Sequence, residues 1–244
     1  LDQDATYKKY ISVHWPKIRV FYNSKQFWCM AYPWKRAVPK TYQPYFEGTF
    51  MGPNIILDHG PLLKQYYSYG DGNHQEGDDE NNHWNLKEFN EKNKSDFKLY
   101  DFISEGDSPA FLQLVDMGLD NMDHPSYGGW GGRFVANKEN QYRFEDNDDA
   151  ADLNPETGKL DRSYPQTRWL EAIQLDFAAR ANWCVSSFKE SNHAPSLSVK
   201  EGRNSTATPN QTILFNITTM DPDVNYLPAS ATFKYTSYEI SKTI

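Results

Sequence analysis

The sequence predicts an α/β domain over residues 1–192, followed by the start of an all-β sandwich domain over residues 193–244. Two segments with helical periodicity, SPAFLQLVDMGL and TRWLEAIQLDFAARANWCV, lie among strand-like runs and long polar loops in the first part. After SNHAP the helical patterns stop. LSVKEG, TILFNITT and SATFKYTSYEI then follow as β-type runs rich in Thr and aromatics, separated by turn signals. The boundary falls near Asn192–Pro195, and the roughly 50 residues beyond it make a thin sandwich, consistent with a truncated one.

Taken in order, DATYKKYISVHWP reads as a short helix, capped near Asp2 or Asp4 and stopped before Pro16, which cannot continue it. KIRVFYN reads as a strand. Residues Gly70–Asn82, GDGNHQEGDDENN, form a polar, acidic loop that is expected to be solvated. In SPAFLQLVDMGL, Ser108 caps a helix, Pro109 takes its first position and Gly118 suits its C-terminal side, with Ala110, Phe111, Leu114 and Val115 on one face. The stretch EDNDDAADLNPETGKLD carries oxygen ligands at alternating positions but lacks the glycine and terminal Glu of an EF-hand. The second strong helix sets Trp169, Ile173, Phe177 and Ala181 at i, i+4 spacing.

Net charge is −8 and no Lys/Arg block stands out, which argues against a nucleic-acid partner. No run of about 18 apolar residues marks a membrane span. An aromatic share of 15%, with 16 Tyr and 7 Trp, supplies more amphipathic contact surface than a core requires, and carbohydrate suits such a surface. Two cysteines, Cys29 and Cys184, are too few for a disulfide scaffold and are either paired or free. Sequons at Asn93, Asn204, Asn210 and Asn216 predict a secreted, N-glycosylated protein. In TILFNIT, burial of Ile213, Phe215 and Ile217 along one strand would turn Asn216 to solvent, where a glycan must sit. The first residue is Leu1 and the last, Ile244, lies in a strand-like run, so a processed or fragmentary chain is expected.

Several residues could carry chemistry. Glu105 and Asp107 precede a helix start whose unsatisfied N–H groups keep nearby carboxylates ionised. With Ser108 as cap both could face a ligand; otherwise Asp107 is the cap and Glu105 a surface residue. YGGWGGRF places Trp130 between glycine pairs that permit positive φ and close backbone approach. Trp130 would stack on a sugar ring with Arg133 bonding hydroxyls or a carboxylate, or it fills a gap beneath a tight loop. His59 in DHGPL is either a buried, hydrogen-bonded histidine or a substrate contact. Asp176 lies four residues before Arg180, the spacing of a helical ion pair.

Together, DHGPL, EGDSPAFL, HPSYGGWGGRF, QLDFAARANWCV, and NHAP with the later DPD resemble, in order, the cellulose-binding, nucleoside-hydrolase-like family. That resemblance implies a Rossmann-like nucleoside-hydrolase-like domain followed by an Ig-like β-sandwich, with LDQDATYKKYISVHWPKI starting in the middle of the first. It also implies hydrolysis of N- or O-glycosidic bonds, with Glu105 and Asp107 at the sugar site and Asp176 as the late ligand of a Ca2+ ion. The aspartate cluster that completes such a metal site, D-x-D-x-x-x-D-D, is absent from the sequence. The resemblance therefore implies that a second chain or an N-terminal fragment completes the domain, and that this chain alone is inactive. The alternative is a non-catalytic protein that binds cellulose or another cell-wall glycan on the same fold.

Overall fold

A computed structural model of the chain describes residues 6–30, 34–66, 85–101, 108–202, 206, 208, 212–223 and 231–233. The chain divides into two compact units, Leu1–Val185 and Ser186–Ile244.

The first unit mixes helices with small sheets, as an α/β chain should. Helix α1 (Thr6–His14) stops ahead of Pro16, where the sequence places its end. The expected cap at Asp2 or Asp4 lies outside the described residues. Strand β1 (Val20–Tyr22) falls within KIRVFYN. It pairs in parallel with β3 (Arg143–Glu145), which pairs antiparallel with β2 (Val135–Ala136), giving the order β1-β3-β2. The sheet is tied to the chain after β1 by the buried carboxylate of Asp146, which accepts from the Ser24, Lys25 and Gln26 amides and from the Ser24 hydroxyl at 2.6–3.0 Å. The acidic stretch that follows is spent on structure. It forms a hairpin of β4 (Asp152–Asn154) and β5 (Lys159–Asp161), with Asn154 donating to Asp161 at 3.0 Å.

The core is assembled from many single turns of helix. Helix α2 (Trp34–Ala37), a 3-10 turn at Gln43–Phe46, α3 (Gly48–Met51), a π-turn at Gly52–Ile56 and α4 (Gly60–Leu63) follow one another. The π-turn is closed by the Leu57 amide donating to the Gly52 carbonyl at 2.9 Å, and it sets both Ile55 and Ile56 inward. Helix α5 (Leu86–Asn93) is capped by Asn85, whose side chain accepts from Glu88, and ends at Lys94 in the left-handed region. Helix α6 (Tyr164–Thr167) leads into α7 (Leu170–Trp183), the longest among the described residues of the unit. On α7 the i, i+4 stripe holds as expected: Ile173 and Ala181 are buried, and Trp169 and Phe177 pack against the core. Those residues meet Trp34, Phe46, Met51 and Ile55, and the Trp34 and Phe46 rings are stacked at 5.6 Å.

In the first unit, one helix differs from its expectation. Ser108–Leu114 is a 3-10 helix rather than an α-helix reaching to Gly118. At three residues per turn, Pro109, Leu112 and Val115 come to one side, closed by Val115 donating to Leu112 at 3.2 Å. Phe111 and Leu114, expected on one face with Ala110 and Val115, are exposed, whereas Ala110 and Val115 are half-buried. The question left by the two cysteines is answered as well: both are free, Cys29 buried and Cys184 exposed.

In the second unit, β6 (Ser196–Val199) pairs antiparallel with β8 (Ile217–Met220), and β7 (Ile213–Phe215) with β9 (Ala231–Phe233). The run expected as one strand is thus two, broken at Asn216. Its amide donates to Glu201 at 2.8 Å and its side chain donates to the same carboxylate, while its carbonyl accepts from the Lys200 amide at 2.9 Å. The alternation survives the break, with Leu214, Asn216 and Thr218 exposed and Phe215 and Ile217 half-buried. His193 and Asp223 tie the start of this unit to the turn after β8, ring nitrogen to carboxylate at 2.6 Å. No helix among the described residues is long and apolar enough to cross a membrane.

Candidate functional site

The segment YGGWGGRF folds as a miniature hairpin. Gly129 and Gly132 exchange backbone hydrogen bonds at 3.0 and 2.9 Å, leaving Trp130 and Gly131 as its two-residue tip. Glycine is required where the tip touches its neighbours. A Cβ on Gly131 would lie 2.5 Å from the Gln113 amide nitrogen, and one on Gly132, at φ +95°, would lie 1.3 Å from Gln26 Oε1. Three buried glutamines fix this loop. Gln26 accepts from the Arg133 amide and donates to its carbonyl, both at 2.9 Å. Gln166 donates to the Trp130 carbonyl at 3.2 Å while accepting from the Cys29 thiol at 2.9 Å. Gln113 and Asn121 exchange side chain-to-backbone bonds behind Gly129.

Held in this way, Trp130 forms one wall of a cleft of about 410 Å³, within the range of small-ligand sites. The 3-10 helix supplies Pro109 and Leu112 to it, the residue after the helix supplies Val115, and α7 supplies Ile173, Gln174, Asp176, Phe177 and Arg180. Tyr66 and Phe177 add an aromatic corner, their rings 5.5 Å apart. The cleft is mainly apolar, and two of its wall residues carry orphaned buried polar atoms: the indole nitrogen of Trp130 and Oε1 of Gln174 have no hydrogen-bond partner. Such atoms are uncommon in folded proteins and call for a water or a ligand.

The residues singled out by the sequence separate here. Trp130 and Asp176 share the cleft. Asp176 is paired with Arg180, Oδ2 to Nε at 2.7 Å, in the i, i+4 geometry their spacing allowed. His59 precedes α4 half-buried, with a buried Nδ1 that has no partner, and is not among the described walls. Arg133 turns away to Asp152, Nη2 to Oδ2 at 3.1 Å, beside Arg168 at 3.6 Å. Glu105 and Asp107 lie outside the described residues, as do Asn204, Asn210 and the acidic loop over Gly70–Asn82. Asn93 is exposed at the end of α5, its side chain donating to the Phe89 carbonyl at 2.9 Å, and Asn216 is exposed between β7 and β8.

The donor set does not fit calcium among the described residues. No group of three or more His, Cys, Asp or Glu side chains converges on one point there, and the one carboxylate of the cleft is already neutralised by Arg180. Calcium takes six to eight oxygens. Sequence reasoning missed Gln174 as a site residue. Its only signal was a position beside Ile173 on the buried face of α7, which reads as core.

Among solved structures the chain is similar to a nucleoside hydrolase-related hypothetical protein from Saccharophagus degradans that is associated with carbohydrate metabolism. The identity is 26% over 52% of this chain and 33% of that one, with a TM-score of 0.36. The match thus spans about a third of that protein's length. No curated protein matches the chain. The profile of the family described as "Cellulose-binding Sde182, nucleoside hydrolase-like domain" matches residues 1–134, more than half of the sequence, and the chain belongs to that family.

Proposed function

We propose that the cleft beside Trp130 binds carbohydrate, and that the chain is part of an extracellular protein that binds cellulose or a related cell-wall glycan. The carrying observation is the presentation of Trp130. Its backbone is clamped on both sides of the hairpin tip, and its ring borders an apolar cleft with an unpartnered indole N–H. The C–H face of a pyranose packs on such a ring. The cellulose-binding description of the matching family supports the same ligand class. Retention on microcrystalline cellulose, compared with chitin, tests the reading. Trp130→Ala is expected to weaken retention about tenfold. Undiminished retention of that variant would remove Trp130 from the site, and failure of the native protein to bind any insoluble glycan would sink the reading.

Hydrolysis of a glycosyl bond is the second reading, favoured by the carboxylate of Asp176 on the same wall. Glu105 and Asp107 join it as acid groups on the strength of the sequence alone, with His59 and Arg133 as further substrate contacts. Turnover on a panel of nucleosides and oligosaccharides, abolished by chelation, would overturn the binding reading in favour of a calcium enzyme. A second chain or N-terminal fragment completing the α/β domain, and an Ig-like sandwich built on the second unit, belong to the same proposal. So do secretion and N-glycans at Asn93, Asn204, Asn210 and Asn216. Intact mass spectrometry of the native protein, before and after endoglycosidase, tests the last two.

A further inference from the structure

The chain carries its positive charge unevenly. From Ala5 to Phe46 it has eight Lys or Arg residues and no Asp or Glu, while the remaining residues set 17 Lys or Arg against 33 Asp or Glu. Helix α1 and the turn after it bring part of that acid-free segment to the surface. The helix has no buried residue, and residues 12–19 are exposed without a break. It rests on the sheet through half-buried Ile11 and through Lys8, whose Nζ lies 5.2 Å from the centre of the Tyr22 ring. The rings of Tyr10, His14 and Trp15 pack on one another at 4.3–5.9 Å, and Arg19 donates to the Met122 carbonyl, so the turn is held in place. Even so, Val13, Trp15 and Ile18 remain 74%, 53% and 53% exposed. Cations accompany them: Lys9 lies one helical turn before Val13, and Lys17 and Arg19 flank Ile18, all three exposed. Glu139 is the one acid on the shallow groove that Trp15 and Ile18 border, among its described walls.

We propose that this surface docks on an anionic lipid membrane, with Val13, Trp15 and Ile18 entering the headgroup boundary and Lys9, Lys17 and Arg19 meeting the lipid phosphates. Interfacial segments combine these two classes of residue: aliphatic and indole side chains partition into the boundary, and each nearby cation adds attraction to an anionic leaflet. An acidic polysaccharide or a nucleic acid would also engage the cations and the rings. Neither offers Val13 and Ile18 hydrocarbon to be buried against, so the exposed aliphatic side chains decide for lipid. The acidic remainder of the chain is repelled by the same leaflet, which favours approach with α1 foremost. No residue lines both this groove and the Trp130 cleft, and the proposal stands apart from the carbohydrate reading.

The test is co-sedimentation of the full chain with vesicles of phosphatidylcholine alone and of phosphatidylcholine mixed with phosphatidylglycerol. The native protein is expected to bind the anionic vesicles at least about tenfold more tightly than the neutral ones, and added salt is expected to release it. Lys17→Ala is expected to weaken binding to the anionic vesicles about fivefold. Ile18→Ser removes apolar surface alone and is expected to weaken it about fivefold as well. Leu160→Ser, at an exposed leucine of the β4–β5 hairpin, is the control and is expected to bind as the native protein does. All three side chains are exposed, so the variants are expected to fold, with near-ultraviolet circular dichroism as the check. Absence of binding to the anionic vesicles, or equal binding to both kinds, would overturn the proposal. So would loss of binding in Lys17→Ala with none in Ile18→Ser, which would make the partner an acidic polymer; polygalacturonate and poly(U) in a gel-retardation assay would then tell which. Retention on cellulose is expected to be unchanged in all three variants, so the proposal can fail while the carbohydrate reading stands.

Discussion

Replacing Gly132 with alanine is expected to destabilise the first unit by about 3–5 kcal/mol, and the components of that figure are separable. The new Cβ would sit 1.3 Å from Gln26 Oε1, on a side chain with no exposed surface, so Gln26 must leave its position. Two hydrogen bonds to Arg133, each 2.9 Å, are lost with it. Each costs about 1 kcal/mol net, and about 1–3 kcal/mol where a buried partner is left unpaired. Holding alanine at the φ of +95° adds about 1–2 kcal/mol of its own. Gly158 is the control: its φ is +66°, yet a Cβ there meets nothing within 4 Å, so Gly158→Ala bears only the backbone cost of about 1–2 kcal/mol. Urea unfolding followed by tryptophan fluorescence reads both variants against the native protein, with the slopes compared to confirm a common transition. If Gly132→Ala unfolds within about 1 kcal/mol of Gly158→Ala, the amide clamp is not what holds the hairpin, and the reasoning fails.

Other consequences are quicker to check. Thiol titration should give one reactive cysteine in the native protein and two in denaturant, because Cys184 is exposed whereas burial pushes the Cys29 thiol well above its ordinary range; two native equivalents would contradict the burial. Asp146→Asn places an amide against four donor contacts and is expected to cost the first unit about 2–4 kcal/mol in chemical denaturation; a neutral result would show that the carboxylate does not tie β1 to β3. In the second unit the backbone amide of His193, then its ring, hold the Asp223 carboxyl below its ordinary value of 3.8. A depressed carboxyl contributes stability above that value and loses it as pH falls through the folded-state value. Amide exchange at His193 should therefore quicken only in acid below the ordinary aspartate range, and Asp223→Asn should remove the dependence on pH.

What the sequence revealed was what local periodicity can carry. The stripe through Trp169, Ile173, Phe177 and Ala181 determines the inner face of α7, and the alternation from Leu214 to Thr218 survives even where the strand breaks. Periodicity misplaced Phe111 and Leu114 because the segment after Ser108 winds at three residues per turn, and the apolar pattern of so short a run fits either winding. Glycine-tryptophan-glycine was legible as a tight presentation loop. Its supports were not: Gln26, Gln113, Gln166 and Gln174 are buried amides whose partners are set by tertiary approach, and glutamine ordinarily signals surface. Arg133 shows the converse. Its position next to the loop predicted a ligand contact, but a neighbour 19 residues later, Asp152, turns the guanidinium the other way.

The Asp146 anchor also has a consequence in time. Its bonds to Ser24, Lys25 and Gln26 join residues 120–122 positions apart. On a ribosome adding about 5–20 residues per second, the carboxylate emerges about 6–24 s after the amides it receives. Through that interval β1 has no sheet partner, and Phe21 travels on the nascent chain without Phe134 and Phe144, the rings it meets in the fold. A binding chaperone would find its natural window there, and synonymous codons that lengthen the pause before Asp146 would be expected to raise aggregation without altering the finished protein.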